Sequence, residues 1–387
     1  MSQWTVMLLN GLAWLSLGML IVAAIMAVLN AIFTGRLRLD AKPVADGPLV
    51  SVLIPVRNES DNLRNLLPAL MATTFKNIEV IVLDDESTDG SHEIAFSILQ
   101  NASFPAQVVN GQPWSPSLGL SGKTHACAQL AELARGEILI FCDADVLPSP
   151  DAVGLTSAHL SSPGFRDHAA GLSALPGQSC RGWRERSLIP WVMHLPLMIT
   201  VPLFCSWRLP TESIQIANGQ WLALYARDYI ASGGHRALGA TPLEDVTLAR
   251  QVQRKTGRGV RPVFAASDIT AAMYVDWHSM VNGFSKNLVS IGGGTPGRFL
   301  AVIMLLNIVF LFPMWGWLVQ PGLAATGLLA CVLLRLVTAT VFKMPAWDLL
   351  RHPASLFLLD LAAWKAIKTS LRGAYEWKDR VVKWSAT

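Results

Sequence analysis

Asp143 and Asp145 flank Ala144 directly after an apolar run, ILIFC. On extended backbone, residues i and i+2 point the same way. Two carboxylates so placed can hold a hard divalent cation bridged to phosphate oxygens. An isolated Asp-x-Asp is also common in loops, so its position matters. A second acidic pair, Asp84 and Asp85, ends another apolar run, and a third pair, Glu244 and Asp245, opens the helical pattern DVTLARQVQRKTG, stopped at Gly257. A carboxylate at a helix start is usually a cap. The same place suits a general base, because the helix dipole keeps the group ionised and ready to accept a proton.

The elements that must carry these residues are readable from periodicity. LVSVLIPV (49–56), IEVIVLDD (78–85) and EILIFCDAD (137–145) are short β-rich apolar runs ending in polar residues. Between them lie ESDNLRNLLPALMA (59–72), with leucines at helical spacing, and THACAQLAELAR (124–135), stopped by Gly136. Strand, helix, strand in succession predicts a parallel α/β sheet. Ligands of such sheets bind outside the carboxyl ends of the strands. Arg57-Asn58-Glu59, Asp84-Asp85 and Asp143-Ala144-Asp145 are therefore expected around one crevice. Gly122-Lys123-Thr124 ends like a phosphate-binding P-loop, but the first glycine of that pattern is Ser117 here and no strand precedes it. No GxGxxG opens the first helix, so a dinucleotide site is unsupported.

Composition sets these motifs beside a membrane. Of 387 residues, 52% are hydrophobic and 15% charged, against about 25% charged in ordinary soluble domains. Residues 4–33 contain no Asp, Glu, Lys or Arg, and about 20 apolar residues cross a bilayer. The run is long and no Lys or Arg precedes it, so an uncleaved anchor is expected rather than a signal peptide. Arg36, Arg38 and Lys42 follow closely, which puts the downstream side in the cytoplasm. A second apolar block, 299–342, is broken near Gln320, Pro321 and Gly322 and reads as two helices, with Gly292-Gly293-Gly294 as a flexible entry. The basic excess of Lys365, Lys368, Arg372, Lys378, Arg380 and Lys383 over Glu376 and Asp379 keeps the end of the chain on the same face. Arg335 sits inside the last span, where a lone charge is costly; it could snorkel, face a lipid headgroup or face the hairpin partner. Residues 190–205 are apolar but carry Pro190, Pro196 and Pro202, which favours a membrane-lying or re-entrant segment over a regular span. Residues 354–368 read as an amphipathic surface helix.

The expected organisation is thus an anchor at 1–34, a cytoplasmic α/β domain at 48–290, two membrane helices at 298–343 and a basic, partly amphipathic cytoplasmic tail at 344–387. A net charge of +4 from 31 basic and 27 acidic residues gives no footprint for nucleic acid. Five cysteines without a CxxC pair exclude a disulfide scaffold. Cys127, Cys142 and Cys331 lie in apolar patterns and read as packing. His125, His194, His235 and His278 have no metal-ligand spacing; His235, after Gly233-Gly234, is the one that could approach an acceptor.

In order, LVSVLIPVRNES, VLDDESTDGS, SGKTHACAQL, IFCDADV, NGQWLALYARDYIASGGH and LEDVTLARQV resemble the inverting GT-A glycosyltransferases of family 2, over roughly residues 48–290. Ser121-Gly122-Lys123, the strong anchoring and MYVDWHSMVNGFSKN (273–287) resemble the branch that glycosylates membrane lipids, including carotenoid enzymes of the diaponeurosporenoate type and hopanoid-associated enzymes. The resemblance implies a GT-A nucleotide-diphospho-sugar transferase fold, a UDP-sugar donor, Mg²⁺ or Mn²⁺, a membrane lipid acceptor and a bacterial inner membrane location. It implies that Pro55, Arg57 and Glu59 line the base and ribose, that Asp84 and Asp85 contact the uridine, and that Lys123 lies near the nucleotide. Asp143 and Asp145 match the metal-holding pair, Asn218, Gly219 and Gln220 a segment beside donor sugar and acceptor, and Asp245 the catalytic base. Processive polysaccharide synthases of the family carry QxxRW after the base. Trp277, His278, Phe284, Ser285, Lys286 and Asn287 occupy that region instead, against polymer synthesis. Transfer to a polyprenyl phosphate, or a polysaccharide, is the alternative within this fold.

Overall fold

The computed structural model describes residues 2–387 apart from Leu39, Pro210, Pro242, Val275, Gly373, Lys378, Asp379 and 384–387, with backbone alone for the strands at 374–377 and 380–383. The basic tail beyond Arg372 therefore lies largely outside the described side chains. The chain divides into two units: a helical one, Met1–Phe33, Cys180–Pro202 and Tyr274–Tyr375, and an α/β one, Thr34–Ser179, Leu203–Met273 and Glu376–Thr387.

The α/β unit is built on β1 (Val50–Val56), β2 (Ile78–Asp84), β3 (Ala106–Asn110), β4 (Ile138–Cys142), β5 (Val146–Pro148), β6 (Ala169–Leu175), β7 (Gly177–Gln178), β8 (Trp221–Tyr225), β9 (Gly259–Phe264) and β10 (Ile269–Ala271). The main sheet runs β3-β2-β1-β4-β8-β6-β9, and β5-β10-β7 form a small second sheet. All main-sheet neighbours are parallel except β8, which is antiparallel to both β4 and β6. Val50 pairs with Ile78 on one side and Ile138 on the other, so the three strands start level, and β1 ends beside β2 where Val56 pairs with Asp84.

Alternation explains why these runs are strands buried on both faces. Val50, Val52, Ile54 and Val56 join one core with Val80, Val82 and Ile140. Leu53 joins the other with Ile81, Leu83, Leu139 and Phe141. From β1 the chain builds outward to β2 and β3, then returns to place β4 on β1's other edge. That reversal is the switch point at which an open α/β sheet presents a crevice. Helix Ser91–Leu99 and the half-buried edge strand β3 complete the layer and were not expected.

Within the helical unit, Gln3–Phe33 and Pro321–Val341 are long and apolar enough to cross a membrane. The first buries Ala13, Leu17, Leu20, Ala24 and Ala27 on one stripe while Trp14, Leu15, Val22 and Ile25 remain exposed. A helix apolar on its exposed faces suits lipid rather than water. The expected helix before Gln320 is broken. Its first regular helix covers the 15 residues Pro296–Phe310, about 22 Å at 1.5 Å per residue, short of the roughly 30 Å hydrocarbon core. After Leu311 a short helix, Phe312–Trp315, with Pro313 in its first turn, and a 3₁₀ turn, Gly316–Leu318, continue it. It meets helix Trp277–Ile291 at a bend of 100°. The glycine run at the bend is a corner rather than a flexible entry. Gly293 takes φ 125°, where a side chain is strained, and an added Cβ would sit 2.9 Å from Arg298 Cβ. In 190–205, the prolines act as expected: a π-helical turn, Pro190–His194, separates two short helices, and the second ends before Pro202. Residues 354–368 fall inside a longer helix, His352–Leu371, whose Phe357, Leu361, Trp364 and Leu371 are exposed.

Candidate active site

The rim begins at the end of β1. Arg57 Nη1 donates to the Asp85 carbonyl at 2.6 Å, and Asn58, at φ 51°, accepts the Thr88 N–H through Oδ1 at 2.8 Å. Glu59 donates its N–H to Ser91 Oγ at 2.9 Å and accepts from Asn62 at 2.7 Å. The segments after β1 and β2 are thereby tied into one edge. Asp84 Oδ2 accepts the Ser87 N–H at 3.3 Å, while its Oδ1 is buried with no partner.

Helix Gly122–Leu133 starts beneath this edge because Ser121 Oγ caps it, accepting the Thr124 N–H at 3.1 Å. The cap puts Lys123 on the first turn. Its Nζ lies 2.7 Å from Asp143 Oδ1 and 3.0 Å from Glu244 Oε1. Asp143 lies just past the end of β4 rather than within the strand. It opens a turn that the Val146 N–H closes on the Asp143 carbonyl at 3.2 Å. The two carboxylates of the motif therefore diverge in their partners: Asp143 faces Lys123, whereas Asp145 Oδ1 is buried and unpartnered.

Asn218, Gly219 and Gln220 precede β8 in a self-bonded loop. Gln220 N–H donates to Asn218 Oδ1 at 2.9 Å, and the Gln220 carbonyl accepts the Asp143 N–H at 3.3 Å. Gly219 N–H donates to Asp245 Oδ2 at 2.8 Å. Helix Glu244–Thr256 begins after Leu243 with no side-chain cap. Asp245 does not cap it: its Oδ1 takes the adjacent Val246 N–H at 2.8 Å and its Oδ2 is held by the loop.

One pocket is lined by Pro55, Lys123, Asp143, Gly219, Glu244 and Asp245, together with Cys127, Phe141, Leu222 and His235. Arg57, Glu59, Asp84 and Asp85 form the rim described above, outside that lining, and Asn218 and Gln220 flank Gly219. Sequence reasoning placed Glu244 beside Asp245 but did not foresee its ion pair with Lys123, which joins residues 121 positions apart. His235 is buried beside Phe141, with Nδ1 2.9 Å from the Tyr229 hydroxyl. Gly234, at φ 53°, makes this possible, since a Cβ there would come within 2.4 Å of the Tyr229 ring.

Among the described lining residues, one ammonium faces three carboxyl groups, and the protonation states follow. Burial disfavours the Lys123 ammonium, but Asp143 and Glu244 more than offset it, so its pKa stands well above the ordinary lysine value. Burial raises Asp143 despite Lys123. Burial, then the charge of Asp143, pushes Asp145 to about 7. Burial, then the charge of Glu244, pushes Asp245 to about 7 against the pull of Lys123 and two backbone N–H groups. Burial and Lys123 lower His235 to about 3, so it is neutral at pH 7. The described residues contain no group of three or more His, Cys, Asp or Glu side chains that could hold a metal ion. Asp145 has a spare buried oxygen that fits a Mg²⁺-like cation whose other ligands are phosphate oxygens and water, whereas both Asp143 oxygens are held by Lys123.

The family model described as Glycosyl transferase family 2 matches residues 51–167. The chain is 26% identical over 258 residues to a 4,4'-diaponeurosporenoate glycosyltransferase of Staphylococcus haemolyticus, covering 66% of this chain and 65% of that protein. It is 34% identical over 105 residues to the glycosyltransferase AglE of Haloferax volcanii, covering 26% of this chain and 32% of that one. The matches thus span less than two thirds of these relatives' lengths. The mannosyltransferase PcManGT of Pyrobaculum calidifontis, solved with GDP-Man and Mn²⁺, is similar in structure with a TM-score of 0.52 at 20% identity, covering 94% of this chain and 99% of that one. The fold is of the GT-A type: a mostly parallel α/β sheet with its crevice at β1 and β4.

Proposed function

We propose that the protein is a membrane-bound inverting glycosyltransferase, moving a sugar from a nucleoside-diphosphate sugar, with UDP as the carrier, to a hydroxyl or carboxyl group of a membrane lipid. The observation that carries this reading is the convergence of Asp245 with Lys123 and Asp143 in one pocket at the carboxyl ends of the sheet. A base and a phosphate-facing cation are the two things a single displacement at an anomeric carbon requires.

In this reading Arg57, Glu59, Asp84 and Asp85 hold the nucleoside along the rim. Asp143 and Asp145 would hold Mg²⁺ or Mn²⁺, which would supply charge neutralisation to the diphosphate. Lys123 adds a positive charge from the first turn of its helix. Asp245 takes the proton from the acceptor oxygen as that oxygen bonds to the anomeric carbon. The bond from that carbon to the diphosphate oxygen breaks with its electron pair, and configuration inverts. Gly219 N–H keeps one Asp245 oxygen fixed during the transfer.

The lipid acceptor is supported by the two helices long enough to span a bilayer, by the exposed aromatic and aliphatic side chains of His352–Leu371, and by the acceptor in the name of the staphylococcal relative. The basic residues after Phe33 support a cytoplasmic α/β unit, where the soluble donor is available. The test is mass spectrometry of products made by the purified full chain from a panel of UDP-sugars and extracted membrane lipids. Nucleoside diphosphate release is followed with and without EDTA. A glycosylated lipid is the expected product; a glycosylated polyprenyl phosphate or a polymer would overturn the acceptor assignment.

A further inference from the structure

Arg335 lies on helix Pro321–Val341 and is 7% exposed within the helical unit. Among the described residues its one hydrogen bond is a long one, 3.4 Å from Nη2 to the Asp348 carbonyl. The guanidinium otherwise lies over the Trp191 ring, 5.8 Å from its centroid. Among the described residues Arg335 forms no ion pair; the Asp348 carboxylate pairs with Arg351 through Oδ1. A guanidinium has five donors, and leaving most of them buried without acceptors is costly.

The surroundings repeat the deficit. Asp348 Oδ2, Trp191 Nε1 and both ring nitrogens of His194 are buried without hydrogen-bond partners. Arg335 and Asp348 open into a pocket whose other walls include Pro190, Ala339, Met344 and Leu349. The cavity is thus mostly apolar, with one guanidinium that has no ion-pair partner among the described residues and a carboxylate oxygen able to accept a hydrogen bond. Arg335 is six residues from the end of its helix, roughly 9 Å at 1.5 Å per residue. That depth suits a headgroup drawn slightly below the polar boundary.

We propose that this pocket binds the head of an anionic membrane lipid, a carboxylate or a phosphate, with Arg335 as the charged ligand and the apolar walls taking the start of the chain. The site rests on the reading of the helical unit as membrane-embedded. It needs nothing from the nucleotide pocket. Two sources share the chemistry: the carboxylate of an acceptor, and the phosphate of a bilayer lipid.

The test uses the purified full chain in neutral detergent, titrated with oleate and with dioleoyl phosphatidylglycerol, and with dioleoyl phosphatidylcholine as the uncharged-head control. Binding is read by native mass spectrometry and by melting temperature. The wild type is expected to bind at least one anionic probe more tightly than the control. Arg335→Met should weaken that binding about tenfold or more, and Arg335→Lys should retain most of it. Without lipid, Arg335→Met should melt no lower than the wild type, because an apolar residue of similar length replaces an unpaired buried charge. Binding of oleate alone assigns the site to a carboxylate lipid, and binding of phosphatidylglycerol alone assigns it to a bilayer phosphate. In the first case the variant raises KM for the lipid acceptor and leaves KM for the donor unchanged. Equal binding by Arg335→Met and wild type, no preference for either anion, or a lipid-free variant that melts well below wild type would each overturn the proposal. Failure of the wild type to bind any nucleotide sugar would sink the transferase reading and leave the lipid result intact.

Discussion

Charge is buried in two places in this molecule, and the two are handled in opposite ways. In the α/β unit, Lys123 meets two carboxylates within 3.0 Å, with a third carboxyl group, Asp245, lining the same pocket. The surplus there is negative, and it is visible as raised carboxyl pKa values. In the helical unit, Arg335 meets a carbonyl and an aromatic face, and the surplus is positive. Burying a charge is unfavourable unless something pairs with it. Each site is therefore incomplete in a particular sense: the first lacks cations, the second an anion. A divalent ion with a nucleotide diphosphate suits the first, and an anionic lipid head suits the second.

The largest effects should come from breaking the first site at its base. Asp245→Asn keeps the shape and the Gly219 contact but cannot take a proton. General-base help is worth about 10² to 10⁴ in rate, so nucleoside diphosphate release should fall by that factor while donor binding persists. Near-normal turnover in the purified variant would remove Asp245 from the mechanism. Asp145→Ala should act on the other half. It deletes the spare buried carboxylate oxygen, so metal-dependent donor binding should weaken, read as a rise in donor KM that excess Mn²⁺ partly restores. A change in kcat with no change in donor or metal affinity would place Asp145 elsewhere in the cycle.

The pH profile sharpens the same contrast. Only ionised Asp245 accepts a proton, and its pKa in the free protein is raised to about 7 by burial and Glu244. kcat/KM should therefore climb with pH below about 7, about tenfold per unit at its steepest, and flatten above. Glu244→Gln removes the neighbouring charge and should move this limb to lower pH. A limb that stays in place would show that Glu244 does not set the acidity of Asp245.

How far the sequence carried depends on whether a partner was near in the chain. β1, β2 and β4 were legible because their burial on both faces leaves unbroken apolar runs, and helix Glu244–Thr256 because Gly257 stops it. β3 was not, since an edge strand reading AQVVN with a half-exposed face carries too weak a pattern. The strand end before Asp143 and Asp145 was legible, but the local backbone was not: β4 ends at Cys142, and a turn, not a strand, carries both carboxylates. The break after Phe310 was hidden because Phe299–Val319 is apolar apart from Asn307, and hydropathy does not register where a helix is interrupted. The ion pair of Lys123 with Glu244 and the deficit around Arg335 are tertiary facts, invisible until separate segments meet.

The smallest effect expected is at Ser121, and it separates scaffold from chemistry. Ser121 touches no lining carboxylate; its hydroxyl accepts the Thr124 N–H and pairs with the Thr124 hydroxyl at 2.7 Å. Its contribution is to start the helix one residue before Lys123. Replacing a serine cap by alanine costs about 1 kcal/mol, so Ser121→Ala should lower the melting temperature of the full chain by a few degrees. Donor affinity should change by less than about threefold, because Asp143 and Glu244 still hold the ammonium. If Ser121→Ala instead lost donor binding while keeping its melting temperature, the Ser121 hydroxyl would be touching the nucleotide itself. The segment SGK would then be part of the phosphate site rather than its support.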